Sequence, residues 1–112
     1  MGWAQEESGT QTATIDTEHT LGTDPRLTDA TYVLMVDVTN HADGDVTLLR
    51  FYEKVTGTGD TQRSMILGTI VGSQTNALWF SIPVLSIFGG KFTLEQTDGT
   101  GRSFDWSIRT IT

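Results

Sequence analysis

The sequence predicts an all-β domain, a single small β-sandwich or jelly roll of seven to eight mainly antiparallel strands. Three features point there. Threonine occurs twenty times in 112 residues, and a β-branched side chain already restricted at χ1 loses little on a pleated surface. Good helix formers are scarce, with few alanines and two lysines, Lys54 and Lys91. Short alternating runs of apolar and polar residues are separated at regular spacing by glycine- and aspartate-rich turns, and no segment carries a 3.6-residue apolar period.

Residues 1–9 are polar and acidic apart from Trp3 and read as an N-terminal arm, with the sandwich domain running from 10 to 112. Thr12 to His19 alternates as a first strand, ended by the loop signal Gly22-Thr23-Asp24-Pro25. Ala30 to Thr39 is the clearest strand, with Tyr32, Leu34, Val36 and Val38 on one face and Val33, Met35 and Asp37 on the other. After a turn at Asn40–Asp45, Val46 to Val55 returns with Leu49, Phe51 and Val55 expected inward. Gly57-Thr58-Gly59-Asp60 has the composition of a hairpin connection. Arg63 to Val71 then places Met65, Leu67 and Val71 on one side. Gly72 to Asn76 turns the chain, Trp79 to Ile82 is extended, and Pro83 marks a strand end or a sheet edge. Gly89-Gly90 breaks the chain again. Lys91 to Gln96 turns Phe92 and Leu94 inward, Thr97 to Arg102 is the strongest turn signal, and Ser103 to Ile111 carries Phe104, Trp106 and Ile108 on one face.

Composition narrows the function. Fourteen acidic residues against seven basic ones give a net charge of −7. The clustered cations needed to displace counterions from nucleic-acid phosphates are missing, and so are those that hold a protein on an anionic membrane. The longest apolar-leaning stretch, Ala77 to Phe88, is interrupted by Ser81, Pro83 and Ser86 and is too short to span a bilayer. There is no cysteine, hence no disulfide framework or thiolate site, which suits synthesis in a reducing cytosol. Met1 to Glu7 lacks the basic-then-apolar order of a signal peptide. A chain of this length buries roughly 65% of its unfolded surface and folds alone, though an oligomer would bury more.

No residue pattern calls for catalysis or for a cofactor. His19 and His41 are isolated from other ligand types and are expected in solvent rather than on a metal. Asp43-Gly44-Asp45 has carboxylates about a glycine but lacks the remainder of a calcium loop, so it reads as an acidic turn. Glu95, Asp98 and Asp105 have outward-facing charge on a hairpin as their simplest explanation. Gly-x-Ser-x-Gly, P-loop and dinucleotide patterns are absent, and the glycines of Gly99-Thr100-Gly101-Arg102 precede a strand, not a helix. Two features do not fit a simple monomer. Trp3 is an isolated indole in an acidic segment, which either folds back onto its own domain or anchors the arm to a neighbouring subunit, and Leu78 to Phe88 is apolar in both strand registers, more than one face can hide. The candidate subunit or capsid contact is therefore Trp3, Leu78, Trp79, Phe80, Leu85, Ile87 and Phe88.

Four segments carry a resemblance: Glu6 to Ala13, Thr31-Tyr32-Val33-Leu34 with Val36-Asp37, Asp43-Gly44-Asp45-Val46, and Gln96-Thr97 with Gly99 to Trp106. In this order, across nearly the whole chain, they resemble the short β-rich virion structural proteins of tailed bacteriophages. The resemblance implies a non-enzymatic virion component, in first place a capsid decoration (cement) protein. Such a protein is made in the host cytoplasm and sits on the capsid surface with the major capsid protein as partner. It also implies a homo-oligomer, a trimer favoured, and no cofactor. Many copies bridging neighbouring subunits add binding free energy to the assembled shell and not to its parts, which stabilises the shell. The alternatives are a tail or baseplate component binding host-surface carbohydrate through Trp79, Tyr52 or Trp3, and a small hydrolase using Asp98 or Asp105.

Overall fold

The alternation in Ala30–Asp37 is realised as a central strand, and the sandwich is organised around it. The computed structural model describes residues 2–24, 29–57 and 61–111. Its strands are β1 (Trp3–Thr12), β2 (Glu18–Leu21), β3 (Ala30–Asp37), β4 (Val46–Glu53), β5 (Arg63–Val71), β6 (Leu78–Phe80), β7 (Val84–Ser86), β8 (Lys91–Asp98) and β9 (Ser103–Ile111). One sheet runs β1-β9-β3, with β6 and β7 sharing the far edge of β3; the other runs β2-β8-β4-β5. All pairings are antiparallel. The pairs β4–β5, β3–β6/β7, β2–β8 and β1–β9 form one long ribbon folded back between β4 and β5. Rolling it adds the contacts β9–β3 and β8–β4 and produces two facing sheets, the jelly-roll strand order.

The space between the sheets is filled mainly by the four central strands. Tyr32, Leu34 and Val36 of β3 and Phe104 and Ile108 of β9 meet Leu49 and Phe51 of β4 and Phe92 and Leu94 of β8. Phe92 meets the Tyr32 ring edge-on at 6.4 Å and packs tilted against Phe51 at 5.1 Å. Each buried side chain of this size contributes about 1.5–3 kcal/mol.

The edges differ from the sequence expectation, each for a physical reason. Residues 3–9, expected as an arm, continue into one ten-residue strand that pairs with β9 from Trp3 opposite Ile111 to Thr12 opposite Ser103, with a bulge between Gln5 and Glu7. Backbone pairing does not require apolar alternation, and β1 keeps most of its side chains exposed. Its inner side is lined by Gly9 because the Trp106 ring lies there: a Cβ at Gly9 would sit 3.0 Å from Trp106 Cζ2. The strand expected over Thr12–His19 is the end of β1, a turn that puts Asp16 at φ 64°, and the start of β2.

β4 ends at Glu53, so Val55 is 73% exposed and not inward. In β5, Ile70 is buried while Met65 and Val71 are exposed. A bulge at Leu49/Arg50, where Leu49 pairs with Gly68 and Arg50 with Ile66, leaves Leu67 as an extra residue and reverses the phase beyond it. The turns expected at Pro25 and at Thr58–Asp60 lie outside the described residues.

The apolar stretch after residue 77 becomes two three-residue strands on one edge of β3. Ser81 stitches the gap between them: its N–H donates to the Leu34 carbonyl at 2.9 Å, and its hydroxyl accepts the Leu34 N–H at 3.0 Å. Trp79 turns inward from β6 and crosses to the other sheet, where Gly68 of β5 leaves room for its ring.

Candidate functional site

Alternation along the five-stranded sheet decides what its outer face carries. With Tyr32, Leu34 and Val36 inward, β3 turns Val33, Met35 and Asp37 outward. Register then places Leu78 and Phe80 of β6, Leu85 of β7, Asp105, Ser107 and Arg109 of β9, and Trp3, Gln5, Ser8 and Thr10 of β1 on that same face. Leu78, Phe80 and Leu85 are each more than half exposed, and Trp3 is 51% exposed. Two hollows indent the surface. One of about 380 Å3 lies between Trp3 and Phe80 over Val33, Met35 and Arg109. The other, about 500 Å3, lies further along the strands over Ser8, Thr10, Asp37, Leu78 and Asp105.

Of the seven contact residues drawn from the sequence, Trp3, Leu78, Phe80 and Leu85 come together here. Trp79 does not, because it faces inward over Gly68. Ile87 and Phe88 lie on the bend after β7, where the Glu53 carboxylate accepts their N–H groups at 2.7 and 3.2 Å and the Phe88 ring covers Gly57. Val33, Met35, Ser107 and Arg109 complete the face. Sequence periodicity already put Val33 and Met35 opposite the core, but only strand pairing brings Arg109 beside them.

The outer face of the other sheet carries a hydrogen-bonded cluster of charged and polar side chains, with Ile66 exposed beside Arg50. Arg50 Nη1 donates to Glu95 at 2.7 Å and lies 3.7 Å from Glu18. Glu18 also accepts the Tyr52 hydroxyl at 2.6 Å and the Thr93 hydroxyl at 2.5 Å. Burial opposes ionisation of Glu18, but the Thr93 and Tyr52 hydrogen bonds and then the Arg50 charge outweigh it and hold its carboxyl below the ordinary range. The same bond from the phenol to Glu18, aided by burial, raises the Tyr52 pKa.

The remaining candidate residues serve the loops. His41 was expected in solvent but is 4% exposed. Its Nδ1–H donates to the Gly72 carbonyl at 2.7 Å, and Nε2 faces the Thr47 hydroxyl at 2.9 Å, tying two turns together. His19 is half-buried, not free in solvent, and accepts the Thr14 N–H at 3.2 Å. Asp45 is 1% exposed and accepts from Ala42 N–H at 2.9 Å, Thr100 N–H at 3.2 Å and Arg102 Nε at 2.7 Å. Burial would raise its pKa, yet Arg102 and the two backbone donors outweigh that and lower it. Gly99, at φ +88°, passes so close to the Asp45 carboxylate that a Cβ there would collide with it. Asp45 is thus the clasp between the β3–β4 and β8–β9 turns.

Glu95, Asp98 and Asp105 do not converge. Glu95 binds Arg50 on one face of the sandwich, Asp105 accepts the Thr10 hydroxyl at 2.6 Å on the other, and Asp98 takes the Thr97 hydroxyl at the end of β8. Among the described residues no three His, Asp or Glu side chains gather in a group able to hold a metal ion, and no helix is long and apolar enough to cross a membrane. No family model, curated protein or solved structure matches the chain.

Proposed function

We propose that the chain is a non-enzymatic virion structural protein of a tailed bacteriophage, a capsid decoration protein that works by protein–protein contact. The observation that carries the contact reading is the outer face of the β1-β9-β3-β6/β7 sheet, where Trp3, Leu78, Phe80 and Leu85 stand exposed around Val33 and Met35. Contiguous apolar surface of this kind marks association sites in soluble proteins. The virion assignment rests on the sequence resemblance alone, since jelly rolls serve capsids and lectins alike. On this reading many copies on the capsid surface add free energy to the closed shell.

Co-sedimentation with expanded empty shells of the encoding phage is the test. Binding that stabilises the shell against heat, and that weakens with Phe80→Ser, supports the proposal; no binding to such shells refutes it. The hollow between Trp3 and Phe80 favours one other reading, a host-surface carbohydrate site on a tail component. Glycan-array binding lost on Trp3→Ala would replace the decoration reading.

A further inference from the structure

The charged residues of the apolar face stand on opposite sides of one cross-strand line. Ser8, Ser107, Met35 and Phe80 lie on one line across the strands, joined by the pairs Ser8–Ser107, Ser107–Met35 and Met35–Phe80. Two residues to one side of this line stand Arg109 and Val33, with Gln5 level with them across the β1 bulge; two residues to the other stand Thr10, Asp105, Asp37 and Leu78. Arg109 is the cation of this face among the described residues. It lies about 13 Å along the strands from Asp105 and Asp37, four residues at ~3.3 Å each. None of the three takes part in an ion pair among the described residues. Asp37 accepts the Thr39 N–H at 2.9 Å and its hydroxyl at 2.5 Å, Asp105 accepts the Thr10 hydroxyl, and Arg109 Nε donates to Ser107 at 3.4 Å, so each has a neutral partner but, among the described residues, no opposite charge beside it.

We propose that two copies pack face to face through this sheet, about a two-fold axis running along the Ser8–Ser107–Met35–Phe80 line. Such an axis keeps β9 over β9 of the second copy and reverses its direction, so Arg109 of each copy lies over Asp105 and Asp37 of the other. An isologous contact needs this self-complementarity, and a shell surface would not impose it. The same rotation carries the Trp3 end of β1 over the Thr12–Ser103 end of the other copy, while Phe80 meets Phe80 at the axis. Sheets stacked in this way stand about 10 Å apart, a gap that an arginine reaching toward an aspartate spans.

The pairing rests on the reading of this face as a protein contact and names its occupant. It departs from the trimer that the resemblance implies. The experiment is sedimentation velocity from 1 to 200 μM on the wild type, Arg109→Asp, Asp105→Arg and the double charge exchange, with shell co-sedimentation on the same proteins. Each substitution acts twice across the axis, so either single variant should weaken association about 30-fold or more. The double exchange should restore most of it. Because Asp105 also accepts from Thr10, Trp3→Ala provides a variant outside the charge pair and should weaken association ~100-fold. Dimers for the wild type and the exchange, with monomers for the single variants of unchanged Tm, support the pairing. A wild-type monomer at 200 μM, a trimer, or an exchange no better than the single variants overturns it. Shell binding by a wild type that stays monomeric would overturn the pairing while leaving the decoration reading intact.

Discussion

Asp45→Ala removes a carboxylate that is 1% exposed and accepts three hydrogen bonds. Two of its donors, the Ala42 and Thr100 N–H groups, belong to different turns, and the third is the Arg102 guanidinium at 2.7 Å. Removing one member of a buried ion pair costs about 3–5 kcal/mol. The lower end applies here, because Arg102 is 30% exposed and recovers hydration once released. A loss of about 3 kcal/mol in a domain of this size lowers Tm by roughly 12 °C. Asp45→Asn keeps an acceptor and should lose about half as much. The pH dependence follows from the depressed native pKa of Asp45. Well above the unfolded value of about 3.9 the carboxylate is ionised in both states and its full contribution is present. As pH falls below that value the unfolded chain binds the proton first, and the contribution is lost through the lower native pKa. Urea melts followed by tryptophan fluorescence at pH 7 and pH 3 should therefore show the gap between wild type and Asp45→Ala narrowing at the acid end. A Tm change under 3 °C, or a gap independent of pH, would mean that Asp45 does not clasp the two turns.

Three further outcomes are expected. Gly68→Ala sets a Cβ 2.6 Å from Trp79 Cζ2, so the ring must move outward at a cost of about 1–3 kcal/mol; unchanged Tm and tryptophan emission would contradict the packing. Glu18→Gln weakens the hydrogen bond that raises the Tyr52 pKa and removes the charge that adds to it, so the phenol should titrate at lower pH by ultraviolet difference spectra. Because that native pKa is raised, wild-type stability from the bond is present below the unfolded value of about 10 and lost above it, and the variant should lack this alkaline decline. Deleting residues 1–8 uncovers the β9 edge from Ser107 to Ile111, which should lower Tm and promote aggregation through unpaired strand edges; a variant as stable and soluble as the full chain would show that β1 adds nothing there.

How far the sequence reveals this molecule depends on whether information is local. β3 is legible because Tyr32, Leu34 and Val36 alternate without interruption, and the inward faces of β8 and β9 at Phe92, Leu94, Phe104 and Ile108 follow from the same period. β1 is not, since its partner is a backbone edge about a hundred residues away and its own side chains stay wet. The phase of β5 fails at Leu67, because a bulge is a property of the pair and has no signature in one strand. His41 and Asp45 looked like surface residues of a turn. Their burial depends on which turns meet, which is settled only when the sheets close. Within the candidate face, Trp3 stood out as an isolated indole in an acidic segment, and Leu78 to Phe88 because no single register hid it. Which of them point outward was not readable, since β6 is three residues long and apolar on both sides. Arg109, Asp105 and Asp37 carry no motif at all, and only the cross-strand register aligns them.

The pairing of Trp3 with Ile111 sets an order of events during folding. The ribbon is closed at the β4–β5 connection and open at the pair made by the first and last strands. Loop-closure entropy grows with the chain enclosed, so zippering is cheapest from the middle outward: β4 with β5, then β3 with β6 and β7, then β2 with β8. Each step brings the next pair of strands into reach, and closing β1 on β9 directly would confine about a hundred residues at once. β1 therefore has no edge to pair with until β9 is in place. Topologies of this kind fold in milliseconds to seconds, slower than local ones of equal stability. Of the nine described strands, the earliest in the chain is thus the last to be laid down, and the seam it closes forms one border of the apolar face.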